Sequence, residues 1–252
     1  MAPEGDVLFR SAAILHRWLV GREVTDATGV ALPIVGETVE RVVANGKHLL
    51  IRFASGHVLH THLRMTGSWH VYSAGERWQR PASQARVSLT CGTHVAVCFN
   101  APVVELLAPG AEANHPSLSG LGPDILARTP DLEEIRRRAR RRPPDTALGE
   151  LLLDQRVVAG IGNIWRNESL FLEGRSPWSP VSSLSDDELD ALVSTAARIM
   201  ADSVGPHTGR PPRWVYRRTG RPCRRCDTPI RSRGQGEQSR TAYWCPACQP
   251  AP

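Results

Sequence analysis

Cys223-Arg224-Arg225-Cys226 and Cys245-Pro246-Ala247-Cys248 are two Cys-x-x-Cys pairs with eighteen residues between them. This is the spacing of a four-thiolate zinc site, in which each pair sits on a tight turn and aims two sulfurs at one tetrahedral ion. Between the pairs, residues 228–231 and 240–244 read as two short strands, joined by the Gly/Gln/Ser-rich stretch 232–239. The expectation is a zinc-held β-hairpin with Arg240, Tyr243 and Trp244 on its returning strand. Two disulfides or four free thiols are the alternative. Taken alone, such a module does no more than staple a chain end.

The rest of the chain surrounds this module with positive charge. Its 252 residues suffice for two domains with full cores, and the net charge is +6. From Arg210 onward there are ten Arg against only Asp227 and Glu237, and a second run, Arg136-Arg137-Arg138-Ala139-Arg140-Arg141-Arg142, lies mid-chain. The excess favours a polyanionic partner, although a charge run is also what a solvated face looks like. Thirty of the 31 basic residues are Arg, and the single lysine is Lys47. A lone Lys in such a chain points to a task for a compact amine that can lose its proton, which guanidinium cannot do. The start, Met1-Ala2-Pro3-Glu4-Gly5-Asp6, is acidic, and no apolar run approaches membrane-spanning length, so a soluble intracellular protein is expected. Cys91 and Cys98 read as buried free thiols.

Periodicity predicts a helix over 4–20, where Val7, Leu8, Ser11, Ile14, Leu15, Trp18 and Leu19 recur at three and four. Eight short strands follow, at 23–27, 38–44, 48–53, 57–63, 68–73, 86–90, 94–99 and 103–107, with turns at Asn45-Gly46, Ser55-Gly56 and Cys91-Gly92. That density implies a β-sandwich or flattened barrel. A Gly/Pro/Ser-rich stretch, 109–130, reads as a linker. Helical patterns then occupy 132–140, 146–154, 163–173 and 185–204, the last opened by a capping box from Ser185 to Glu188. Gly160-Ile161-Gly162, just before the third of these helices, offers a tight turn suited to a phosphate, or merely close helix packing. The fold class is α+β, divided as residues 1–110, a linker 111–130, a helical part 131–210 and the zinc module 211–252.

These pieces come in an order that resembles the formamidopyrimidine-DNA glycosylase/endonuclease VIII family across essentially the whole chain. The carriers are Pro3-Glu4-Gly5-Asp6, Asn45-Gly46-Lys47-His48-Leu49-Leu50, His62-Leu63-Arg64-Met65-Thr66-Gly67-Ser68-Trp69, Leu153-Asp154-Gln155-Arg156 running into Gly160-Ile161-Gly162-Asn163-Ile164, Glu168-Ser169-Leu170-Phe171, and the cysteine hairpin with Arg240. The two ends look most like the bacterial endonuclease VIII branch. The resemblance implies an N-terminal helix with a β-sandwich, a helix–two-turn–helix domain and a C-terminal zinc β-hairpin, with double-stranded DNA in the cleft between domains. It implies a bifunctional glycosylase and abasic-site lyase of base excision repair, acting mainly on oxidised pyrimidines and cutting the strand by β,δ-elimination. The damaged nucleotide is flipped out, because its C1′ cannot be reached inside the stack.

Carried over residue by residue, the resemblance makes Pro3 the amine nucleophile that forms a Schiff base and Glu4 the acid that protonates the sugar ring oxygen. Lys47 assists elimination, and Arg240 binds the phosphate beside the lesion. Asn163 holds the same backbone region. Met65 is the wedge that fills the gap left by the flipped base, with Arg64 beside it. One structural Zn2+ sits on Cys223, Cys226, Cys245 and Cys248. The implied protein is a cytoplasmic bacterial monomer, on the nucleoid when bound to DNA. Asn100–Glu105 replaces an arginine-containing loop of the formamidopyrimidine branch.

Ala2 departs from the family pattern, in which proline follows the initiator methionine directly. An alanyl-proline nitrogen is an amide and no nucleophile. An amine becomes available if the mature chain lacks Ala2 from the start, if Ala2 is clipped, or if Ala2 itself attacks with Glu4 one place farther away. Failing all three, the reading that remains is a zinc-ribbon protein that binds damaged DNA without cutting it.

Overall fold

The computed structural model describes residues 3–205 and 212–250. Ala2, on which the question of the nucleophile turns, lies outside the described residues. The chain divides into two compact units, Met1–Gly120 and Leu121–Pro252.

The first unit is a helix on a β-sandwich. Helix α1 (Gly5–Leu19) buries Leu8, Ala12, Leu15 and Leu19, a stripe at helical spacing. The expected stripe was wider: Ile14 is 52% exposed, because only the Leu8–Leu19 row meets the sheets. The strands are β1 (Val24–Thr28), β2 (Val39–Asn45), β3 (His48–Phe53), β4 (Val58–His62), β5 (Ser68–Ser73), β6 (Ala85–Cys91), β7 (His94–Phe99) and β8 (Val103–Leu107). They form two antiparallel sheets, ordered β1-β6-β7-β5 and β2-β3-β4-β8.

Alternation along each strand decides what faces the core. Leu49, Ile51 and Phe53 of β3 and Ala96 and Cys98 of β7 share one apolar cluster with the α1 stripe. The opposite face of the second sheet therefore receives His48 and Leu50 of β3 and His60 and His62 of β4, with register pairs His48–His62, Leu50–His60 and His60–Glu105. This outer face is covered by the segment after β8, where Glu112 pairs with Arg52.

The second unit is helical, with α2 (Leu132–Arg140), α3 (Leu148–Leu151), α4 (Asn163–Leu172) and α5 (Asp186–Val204) around one core that includes Leu148, Trp165, Leu170, Leu192 and Met200. Ser185 and Glu188 close the expected capping box. Ile125, within the stretch read as a linker, is buried in this core. The arginine run on α2 is largely engaged internally. Arg136 pairs with Asp190, Arg138 with Glu134, and Arg140 with Asp186 and the carbonyls of Val181 and Leu184. Its charge therefore ties α2 to α5 and neighbouring loops.

Strands β9 (Arg231–Gln235) and β10 (Arg240–Trp244) form the C-terminal hairpin, with Arg240 opposite Gln235 and Trp244 opposite Arg231. The first strand was expected at 228–231. It instead occupies most of the stretch read as a turn, because Gln235 is a buried anchor and only residues 236–239 are left for the reversal.

Candidate active site and metal centre

Pro3 leads directly into Glu4, the N-cap of α1. The Glu4 carbonyl accepts from the Val7 and Leu8 amides at 2.9 and 3.3 Å, and the residue is only 4% exposed. A carboxyl at this position sits in the field of a helix N-terminus and in a largely dry setting. Within the same unit, α1 packs on β2, whose far end turns through Gly46 and Lys47 into β3. Gly46 has φ +59°, which lets the Asn45–His48 pair close over two residues and presents the half-buried Lys47 at the hairpin tip.

The histidines near Lys47 are held neutral. Burial pushes His48 down to about 3, aided by His62, His60, His115 and Lys47. Burial also pulls His62 down to about 4, with Arg64 and Lys47 adding to the effect. The histidines therefore add no cationic charge at this corner of the sheet.

Met65 is 62% exposed, on the loop between β4 and β5. A core methionine is excluded by that exposure. The loop beneath it is fixed: Thr66 Oγ1 donates to Asn100 O at 2.9 Å, and the Arg64 amide donates to His62 Nδ1 at 3.0 Å. A Cβ on Gly67 would lie 2.8 Å from Leu63 Cα and 3.0 Å from Ala101 Cα, so only glycine allows this approach. Arg64 adopts φ +45° and is exposed.

In the second unit the hairpin is mounted on α4. Asn163, Arg166 and Asn167, spaced as one helical face, all reach it. Asn163 Nδ2 donates to Thr241 O at 3.0 Å, and Asn167 Oδ1 accepts from the Tyr243 amide at 2.7 Å. The fully buried Arg166 donates to Gln235 Oε1 at 3.2 Å and to the carbonyls of Arg240 and Thr241 at 3.3 and 2.9 Å. Gln235 Nε2 in turn donates to Pro177 O at 2.8 Å. Arg240 thus has a rigidly held backbone and an exposed guanidinium, whose Nε donates to Gln238 Oε1 at 3.3 Å.

Glu168, on the next face of α4, accepts from the amides of Trp214, Val215 and Tyr216 at 2.8, 3.2 and 2.9 Å. It anchors the strap leading to the hairpin and leaves the two-turn backbone to Gln155. That residue accepts from the Gly160 amide and donates to the carbonyls of Leu153 and Ile161. The Gly160 N–H is therefore engaged inside the turn. Tyr243 and Trp244, on the returning strand, pack against Tyr216 and Trp178.

The four cysteines converge. Cys223 and Cys248 sulfurs lie 3.9 Å apart, and Cys226 is 3.4 Å from both Cys245 and Cys248. Four thiolates about 2.3 Å from a tetrahedral ion stand roughly 3.8 Å from one another. The set fits a metal ion, with no geometry beyond a small adjustment required. The hydroxyl and amide of Thr228 draw the Cys226 thiol down to about 6, while burial holds Cys245 up and raises Cys248 to about 12. A cation is the partner that lets all four become thiolates.

Sequence reasoning missed Arg166, Asn167 and Gln235. The one available signal was a polar stripe on a helix between apolar neighbours. It also missed a second ligand cluster, His60, Glu105 and His115, which the sandwich brings together from three separate segments.

Comparison with known proteins agrees with this architecture. Residues 4–102 match the formamidopyrimidine-DNA glycosylase N-terminal domain, and residues 121–210 match the formamidopyrimidine-DNA glycosylase H2TH domain. The chain is 39% identical to probable endonuclease 8 2 of Streptomyces coelicolor, over 99% of this chain and 95% of that protein. It is 36% identical to the DNA-(apurinic or apyrimidinic site) lyase Nei2 of Mycolicibacterium smegmatis, over 99% of both. Among solved structures, formamidopyrimidine-DNA glycosylase of Lactococcus lactis bound to DNA containing an abasic site superposes with a TM-score of 0.83 at 19% identity, covering 99% of this chain and all of the other. By both domain matches and end-to-end similarity, the chain belongs to the formamidopyrimidine-DNA glycosylase/endonuclease 8 family.

Proposed function

We propose that the protein is a bifunctional DNA glycosylase and abasic-site lyase of base excision repair, acting mainly on oxidised pyrimidines. The observation that carries the reading is Glu4, buried at the head of α1 immediately behind Pro3. A freed Pro3 amine attacks C1′ of a flipped nucleotide, and the base leaves with the glycosidic electron pair. Glu4 protonates the ring oxygen, so that the sugar opens to an iminium. Lys47, the only lysine, assists β-elimination of the 3′ phosphate. Arg240 grips the phosphate beside the lesion and supports δ-elimination, with Asn163 acting through the backbone of β10. Met65 fills the vacated stack, flanked by Arg64.

We assign the chemistry and wedge to residues 1–110, and the DNA grip to the helical part 131–210 and the hairpin module 211–252. One Zn2+ on the four cysteines supplies rigidity to the hairpin. The protein works as a monomer on duplex DNA in the bacterial cytoplasm. Among the described residues no helix is long and apolar enough to cross a membrane, in keeping with that setting.

Borohydride trapping on an oligonucleotide with an abasic site or an oxidised pyrimidine tests the reading, combined with intact mass of the active protein. A covalent adduct on a chain beginning at Pro3 is expected. An adduct on a chain still carrying Ala2 removes the proline assignment. Salt-sensitive binding with neither adduct nor cleavage on any lesion establishes the binding-only alternative.

A further inference from the structure

We propose that His60, Glu105 and His115 form a second metal site, within the N-terminal unit, for a borderline divalent ion such as Zn2+. Their donor atoms lie within 4.8 Å of one another. His60 Nδ1 and His115 Nε2 each stand 3.0 Å from the same oxygen, Glu105 Oε2. An ion bonded at about 2.0–2.2 Å to two imidazoles and a carboxylate holds those atoms roughly 3.0–3.5 Å apart, so the ligands move little to receive it. Three protein donors of N and O type select a transition ion over Mg2+ or Ca2+, and a water completes a tetrahedron.

The support around the donors is what a metal site needs. His60 is 1% exposed, and its Nε2 lies 2.8 Å from Nδ1 of the buried His48. With the ion on Nδ1, His60 carries its proton on Nε2 and donates it to His48, whose proton then moves to its own Nε2. The network shifts tautomer and keeps its charge. Glu105 is directly opposite His60 across the β4–β8 pair, which sets the carboxylate beside the ring. His115 comes from the covering segment after β8, so the ion clips that segment to the sheet. The ion replaces the hydrogen bonds of both rings to Glu105 with bonds to itself, and the long contact from the Ser117 amide to His115 Nδ1, 3.3 Å, is given up.

The test uses the full chain, dialysed after purification and titrated with Co2+ or Zn2+, with metal counted by elemental analysis. Wild type is expected to bind one equivalent more than His115→Ala and Glu105→Gln. With Co2+ that extra equivalent shows weak d–d bands without thiolate charge-transfer absorption. The variants are expected to lose affinity for it by at least ~100-fold, and His48→Gln, which removes only the partner of His60, by about 10–100-fold. His115 and Glu105 are partly exposed, so both variants should fold; circular dichroism confirms this. The proposal is overturned if wild type binds only the thiolate equivalent, or if folded His115→Ala and Glu105→Gln both retain the extra one.

Discussion

Replacing Arg166 with methionine asks whether one buried guanidinium holds the hairpin that carries Arg240. Arg166 donates to Thr241 O at 2.9 Å and to Gln235 Oε1 at 3.2 Å, and over longer distances to Arg240 O and Gly149 O at 3.3 and 3.4 Å. Hydrogen bonds to a charged group contribute roughly 1.5–3 kcal/mol each, or ~3–6 kcal/mol for the two short ones. Two effects pull the total down. Thr241 O keeps its bond from Asn163 Nδ2 at 3.0 Å, and removing a buried charge relieves its desolvation. Methionine fills much of the same volume, which limits any cavity term. The net expectation is about 3 kcal/mol, a hairpin released from α4 ~10²-fold more often. Amide exchange over residues 231–244 should accelerate by that factor, while β2–β4 in the other unit stay protected. Abasic-site cleavage should fall with it, since Arg240 no longer has a fixed backbone. Exchange in the hairpin within twofold of wild type, with full cleavage, refutes the reasoning.

Glu4→Gln should reduce base excision by roughly 10²–10⁴-fold, the range for a lost general acid, with salt-dependent DNA affinity unchanged. An equal loss of affinity would assign Glu4 to binding. Met65→Ala should alter stability by no more than ~0.5 kcal/mol, because the side chain is 62% exposed, yet lower excision from duplex more than from a bubble substrate; urea denaturation and the two rates check this. The third concerns alkaline pH. Burial raises the Cys91 thiol to about 11, so above pH 9 the unfolded chain ionises where the folded one does not. Stability is full below about pH 9 and falls as pH rises toward 11, by ~1 kcal/mol at pH 10; Cys91→Ala should remove that part of the slope in urea melts.

Much of this molecule was legible in one dimension because its signals are local. Strand alternation and turn glycines located β3, β5, β7 and β8 to the residue, and a capping box at Ser185 marked the start of α5. The paired Cys-x-x-Cys motifs located a four-cysteine cluster that can hold a metal ion, since each motif places two sulfurs through its own turn. Pro3, Glu4 and Met65 were candidates through the family resemblance of their motifs and Lys47 also as the single lysine, and the structure adds that Glu4 is buried and Met65 is not.

What only the tertiary structure decided depends on which distant segments meet. Arg137 and Arg138 pair locally with Glu134, but Arg136 and Arg140 are ion-paired because α5 presents Asp190 and Asp186 to them, a fact no window around residues 136–142 contains. Strand β9 runs to Gln235 because that amide reaches Arg166 and Pro177, both far away in the chain. His60, Glu105 and His115 are single residues of unremarkable context, made a cluster by sheet register and a returning loop. Hydrophobic period and turn chemistry are written residue by residue. A hydrogen bond or ligand set closed across 45 or more residues is specified only once the sheets and helices have packed.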